Sequence, residues 1–105
     1  MHMKIDFTQI LPGLDGQPMQ DEAGKNVPLS TPCVNALLAT PRDEHIEPVE
    51  KLARFVLAQK ITQAIEPIEL TIEEVAKIKD LTGKYMPTLV MGAVWQTLES
   101  NGKGE

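Results

Sequence analysis

From Ser30 onward, apolar residues recur at intervals of three and four, the period of helices that bury one stripe of their surface. Ser30 or Thr31 caps the first predicted helix. Pro32 falls in its first turn, where a missing amide costs little, Val34, Leu37 and Leu38 form its apolar face, and Thr40-Pro41 ends it. A polar linker, Arg42-Asp43-Glu44-His45, leads to Pro48, which opens the longest predicted helix, 48–65, closed by Pro67. Its expected buried stripe is Val49, Leu52, Ala53, Val56, Ile61, Ala64 and Ile65. Phe55 and Leu57 widen that stripe, so this helix is expected to be contacted on more than one side.

The clearest helix start in the chain is Leu70-Thr71-Ile72-Glu73-Glu74-Val75. The Thr71 hydroxyl is positioned to cap the first turn, the Glu74 carboxylate to reach back to the Thr71 amide, and Leu70 to pack on Val75 across the cap. The third helix then spans 72–82, burying Val75, Ile78 and Leu81, with Gly83 as a left-handed C-cap. Pro87 starts a fourth, 87–99, with Leu89, Val90, Ala93, Val94 and Leu98 on its apolar face and Trp95 beside it. Gly92 inside that helix costs about 1 kcal/mol in propensity, which implies close approach of a neighbouring backbone.

Residues 4–29 have a different texture. Lys4 to Thr8 alternates polar and apolar, as a half-buried strand does, and turn chemistry follows at Pro12-Gly13, Asp15-Gly16, Pro18 and Ala23-Gly24-Lys25-Asn26. Gln17 to Leu29 reads as a hairpin reversing near Asp21 to Asn26 and pairing Met19 with Val27; the prolines restrict it to short or edge strands. The predicted class is therefore α+β, mainly α: a small bundle of three to four helices with an extended N-terminal arm or short β-hairpin. The arm occupies 1–29, the helical domain 30–99, and a fraying tail 100–105.

Composition narrows the function. At 105 residues the chain holds one domain, and with 4% aromatics its core must be built from aliphatic side chains and five methionines. Ten bases against fifteen acids, net charge −5, argue against a grip on nucleic acid, and Lys77, Lys79 and Lys84 read as a solvated face. Cys33 stands alone, so no intramolecular disulfide forms. No apolar run approaches the roughly 20 residues that span a bilayer, and the N-terminus lacks a signal-peptide core, so a cytoplasmic protein without membrane partners is expected. Met1-His2 reads as a restriction-site scar ahead of a natural start at Met3, which sets His2 aside.

Candidate chemistry is sparse. Asp43, Glu44, His45 and Glu47 offer ligand atoms within five positions, but in a charged linker between prolines rather than at the spacing of a metal site. Cys33 and His45 lack a third orienting group for nucleophilic catalysis. The N-terminal glycines match neither nucleotide-binding spacing. The third and fourth helices outline a helix-turn-helix, yet no Arg or Lys falls between Pro87 and Glu99 to read DNA. No catalytic residue, metal ligand or cofactor is assigned, and an enzyme is not expected.

The succession Lys4-Ile5-Asp6-Phe7, Leu14-Asp15-Gly16-Gln17-Pro18, Gly24-Lys25, Val27-Pro28-Leu29 and Val34 to Leu38 resembles a group of small proteins encoded by tailed bacteriophages and prophages. The resemblance continues through Ala58 to Ile61, Leu70 to Glu74, Tyr85-Met86-Pro87 and Val94 to Glu99. It carries no activity with it. It implies a setting, the bacterial host cytoplasm or particle assembly. Two functions compete. One is a non-enzymatic interaction protein that self-associates or binds a host or phage protein; the alternative is a small-molecule or nucleotide binder, such as a sponge for a defence signal. For the first, Phe55, Met91, Val94, Trp95 and Leu98 are the expected interface of a homo-oligomer, because the fourth helix carries more apolar surface than one neighbour covers. Nearly as strong is the reading that Trp95 closes the intrachain core beneath the N-terminal arm.

Overall fold

The computed structural model describes residues 2–103, with side chains through Asn101. Met1, half of the supposed scar, and 104–105 of the predicted tail lie outside the described residues. In order, the elements are β1 (His2–Ile5), α1 (Ser30–Leu38), α2 (Pro48–Thr62), β2 (Ile68–Thr71), α3 (Ile72–Tyr85) and α4 (Thr88–Lys103). The expected class holds: four helices and a short sheet, mainly α.

β1 lies two residues earlier than its alternation predicts, because its partner is distant. It pairs antiparallel with β2, Met3 opposite Leu70, Lys4 opposite Glu69 and Ile5 opposite Ile68. His2, set aside in the sequence reading, sits opposite Thr71. The sheet sends Ile5 and Leu70 inward, both fully buried, and sets Lys4 beside Glu69 on the outer face.

Between β1 and α1 the chain folds into two successive tight hairpins of one design. In the first, the Gly13 amide donates to the Gln17 carbonyl at 2.6 Å and the Gly16 amide to the Gly13 carbonyl at 3.1 Å. In the second, the Asp21 amide donates to Lys25 at 2.8 Å and the Gly24 amide to Asp21 at 2.9 Å. Gly16 and Gly24 take φ of 84° and 82°, which a Cβ disfavours, and the Asp15 and Asp21 carboxylates accept backbone amides inside their loops. Stacking the two hairpins closes a ring: the Leu11 amide donates to Val27, that of Val27 to Met19, and that of Met19 to Leu11, at 2.8–2.9 Å. Gln20 faces Asn26 in the register that the sequence anticipates for Met19 and Val27. Pro12, Pro18 and Pro28 sit at the bridges and cannot donate, so the bridges stay isolated.

The core gathers Ile5, Phe7, Leu11 and Leu29 from the arm with Cys33, Leu37, Ile61, Ile78, Leu81, Val94 and Leu98 from the helices. The Thr71 cap forms in full: Thr71 Oγ1 accepts the Glu74 amide at 3.0 Å and Glu74 Oε1 accepts the Thr71 amide at 2.8 Å. Three boundaries move. α2 ends at Thr62 rather than 65. α3 runs through Gly83 to Tyr85, so that glycine is no left-handed cap; its flat surface receives Trp95, whose Cζ2 would lie 3.3 Å from an added Cβ. α4 continues to Lys103, with Asn101 accepting from the Asp6 amide (3.3 Å) and from Gln9 Nε2 (3.2 Å), which ties the helix end to the arm instead of letting it fray.

Candidate interaction surface

The largest departure from the sequence pattern is the orientation of α2. Its inward flank is Leu57, Ala58 and Ile61, whereas most of the stripe expected to be buried faces outward: Val49 is 82% exposed, Leu52 62%, Val56 51%, and Phe55 on an adjoining flank 51%. Ile65, beyond the helix end, is exposed as well. Scattered apolar side chains are ordinary on a protein surface, but a run of them along one helix is not.

The cause lies in how α2 is seated. It packs closely on α1, and two ion pairs link it to α3. Glu50, in its first turn, accepts from Arg54 Nε at 2.8 Å and from Lys77 Nζ of α3 at 3.1 Å. At the other end Lys60 Nζ lies 3.6 Å from Glu74 Oε2, so the capping glutamate of α3 also tethers α2. The Arg54 hydrogen bond, with Lys77 behind it, holds the Glu50 carboxyl below its ordinary pKa. Between the two tethers runs a groove of about 480 Å³ whose α2 wall is Val49, Leu52, Ala53, Val56 and Leu57. Its α3 wall is charged, formed by Glu73, Glu74 and Lys77.

A second set of polar contacts holds the linker that precedes α2. Glu44, in the linker, accepts from the Tyr85 hydroxyl and from Lys84 Nζ at 3.3 Å, fastening the linker to the end of α3. Those hydrogen bonds, Tyr85 first, lower the Glu44 pKa, and Glu44 in turn raises those of Tyr85 and Lys84. Arg54 is largely covered, and its Nη1 is buried without a hydrogen-bond partner among the described residues.

α4 does not present the face expected of it. Val94 and Leu98 are fully buried in this chain's own core, which removes both from any interface. Trp95 is half-buried against α3: its Nε1 donates to the Lys79 carbonyl at 3.1 Å and to Thr82 Oγ1 at 3.3 Å, with Lys79 Nζ 5.7 Å from the ring centre. It closes the intrachain core, though on α3 rather than beneath the arm. Met91 and Trp95 are half-buried and Phe55 half-exposed, so of the five expected interface residues these three keep some exposed surface. Sequence reasoning missed Val49, Leu52 and Val56 as surface residues. Glu50 and Lys60, which flank that stripe and need partners, were the available signal. Nothing within 4 Å would meet a Cβ on Gly92, so no neighbouring backbone explains that glycine; it lines a shallow groove beside Leu14 and Leu89.

Other candidate chemistry stays dispersed. Cys33 is fully buried, and burial pushes its thiol up to about 12, far from a reactive thiolate. His45 is exposed and pairs with Glu47 at 3.0 Å, away from Cys33's core position. Among the described residues no three or more His, Cys, Asp or Glu side chains gather to hold a metal ion, and no helix is long and apolar enough to cross a membrane. No protein-family model, curated protein or solved structure matches this chain.

Proposed function

We propose that this chain is a non-enzymatic interaction protein whose docking surface is the outer face of α2. The observation that carries the reading is the alignment of exposed Val49, Leu52 and Val56 along one helix above a groove, whereas other exposed large apolar side chains, such as Leu14 in the arm and Leu38 at the end of α1, lie on separate segments. Burying such a stripe gives a favourable term of roughly 25 cal/mol per Å² removed from water. The ion pairs that hold α2 on α3 keep the face in place before a partner arrives, which lowers the ordering cost of binding. Taken with the resemblance to phage-encoded proteins, the proposed setting is the cytoplasm of an infected bacterium.

The test is site-specific photocrosslinking in bacterial cells. A benzophenone amino acid replacing Leu52 should yield a discrete protein adduct, and the same group replacing exposed Gln96 on α4 should not. No adduct at position 52, or equal adducts at both, contradicts the reading.

A further inference from the structure

We propose that Asn101–Gly102 is a self-modification site: when the end of α4 lets go of the arm, the Gly102 nitrogen attacks the Asn101 side-chain amide, and Asn101 becomes aspartate or isoaspartate. The pair sits where the helix is fastened. Asn101 Oδ1 accepts from the Asp6 amide at 3.3 Å and from Gln9 Nε2 at 3.2 Å, and Asn101 Nδ2 donates to the Thr97 carbonyl at 2.8 Å. One side chain joins the last turn of α4 to the residues just after β1.

The chemistry needs a nucleophile that no side chain shields and a backbone free to turn. Glycine supplies both, having no Cβ. Of the three asparagines in the chain, Asn101 alone precedes glycine. Asn26 precedes Val27, whose branched Cβ crowds its amide and whose N–H is committed to the Met19 carbonyl at 2.9 Å, and Asn35 precedes buried Ala36 inside α1. In the reaction the Gly102 amide gives its proton to solvent base, and its nitrogen bonds to Cγ of Asn101. The Cγ–Nδ2 bond breaks, ammonia leaves, and a cyclic imide closes. Water then opens the ring at either carbonyl, restoring the chain as aspartate or rerouting it through the side-chain methylene as isoaspartate. The sum is asparagine plus water giving aspartate plus ammonia, with no change of oxidation state.

The fold decides when this happens. Helical ψ, about −42°, keeps the Gly102 nitrogen out of line with Asn101 Cγ, and the hydrogen bonds fix the side chain, so the closed clamp protects the amide. Helix ends open locally at the smallest cost in a fold, and each opening frees both groups. The product does not restore the clamp. A carboxylate at position 101 cannot donate to the Thr97 carbonyl, and its charge is unfavourable near a helix C-terminus. Isoaspartate interrupts the helical repeat itself, so the release of α4 from the arm becomes one-way.

Ageing the full chain in mildly alkaline buffer, with peptide mapping by mass spectrometry, tests the site and its gate. The expected result is a slow gain, at Asn101 alone, of the mass that separates –OH from –NH2, faster when the chain is unfolded in urea. Gln9→Ala, which removes one hydrogen bond from the clamp, should speed conversion of the folded protein about fivefold and leave the rate in urea unchanged. Gly102→Val should suppress conversion in both states. Aged protein, separated from fresh by ion exchange, should exchange its Asp6 amide hydrogen faster, because Asn101 Oδ1 holds that amide in the closed clamp. The proposal is overturned if the folded chain is unchanged once the unfolded chain has converted fully, or if Asn26 or Asn35 converts as fast. A folded rate that Gln9→Ala does not raise overturns the gate, as does aged protein whose Asp6 amide exchanges at the fresh rate.

Discussion

α2 and α4 are similar in length and both read as amphipathic, yet they meet opposite fates. α4 lies against α3 and β1, and Ala93, Val94 and Leu98 disappear into the core. α2 packs mainly on α1, is linked to α3 by Glu50–Lys77 and Lys60–Glu74, and leaves Val49, Leu52 and Val56 in solvent. Apolar spacing makes a helix amphipathic; which flank turns inward is decided by the neighbours available. On α2 the inward flank was won by Leu57, Ala58 and Ile61, which leaves the other stripe unspent.

The comparison breaks most visibly through truncation. Leu98→Ala should cost about 2–5 kcal/mol, as a fully buried leucine does, whereas Leu52→Ala should stay within about 0.5 kcal/mol. Denaturant midpoints at low protein concentration check both, and equal losses would mean that α2 is packed on both sides. Next in size is the cap that aims α3 at both helices: Thr71→Ala should cost about 1 kcal/mol, and an unchanged midpoint would show that the reciprocal hydrogen bonds do not form.

A pair of glycines sharpens the account of α4. Gly92→Ala fills open space inside a helix and should stabilise the protein by about 0.5–1 kcal/mol, while Gly83→Ala should gain less or lose, because the added methyl presses on Trp95. The smallest effect concerns the tether of α2. Glu50 titrates below its ordinary value in the folded protein, so its contribution is present above the unfolded carboxylate pKa and is lost as pH falls through the lowered folded value. Glu50→Gln should therefore destabilise at neutral pH by at most about 1 kcal/mol, the scale of partly exposed ion pairs, and match the unmodified protein in acid. A deficit that persists in acid would assign the loss to something other than charge.

Local rules were legible wherever the signal is short-range. The Thr71 cap, Pro48 at the start of α2, and the register of Gln20 with Asn26 follow from residues within a few positions of one another. What stayed hidden depends on distant partners. Ile68-Glu69-Leu70-Thr71 alternates as a strand should, but its meaning comes from β1, more than sixty residues earlier. Gly83 looks like a helix terminator until Trp95 is known to rest on it. Val94 and Leu98 drop out of the expected interface for the same reason: they have the right periodicity for a surface stripe or a core, and only the neighbours separate the two.

Hydroxyl-radical footprinting of the purified chain measures the central claim most directly, because it reads side-chain access residue by residue. At low protein concentration Val49, Leu52 and Val56 on α2 should be labelled strongly while Val94 and Leu98 on α4 stay protected. Protection of the α2 residues to the level of Val94 and Leu98 would contradict it.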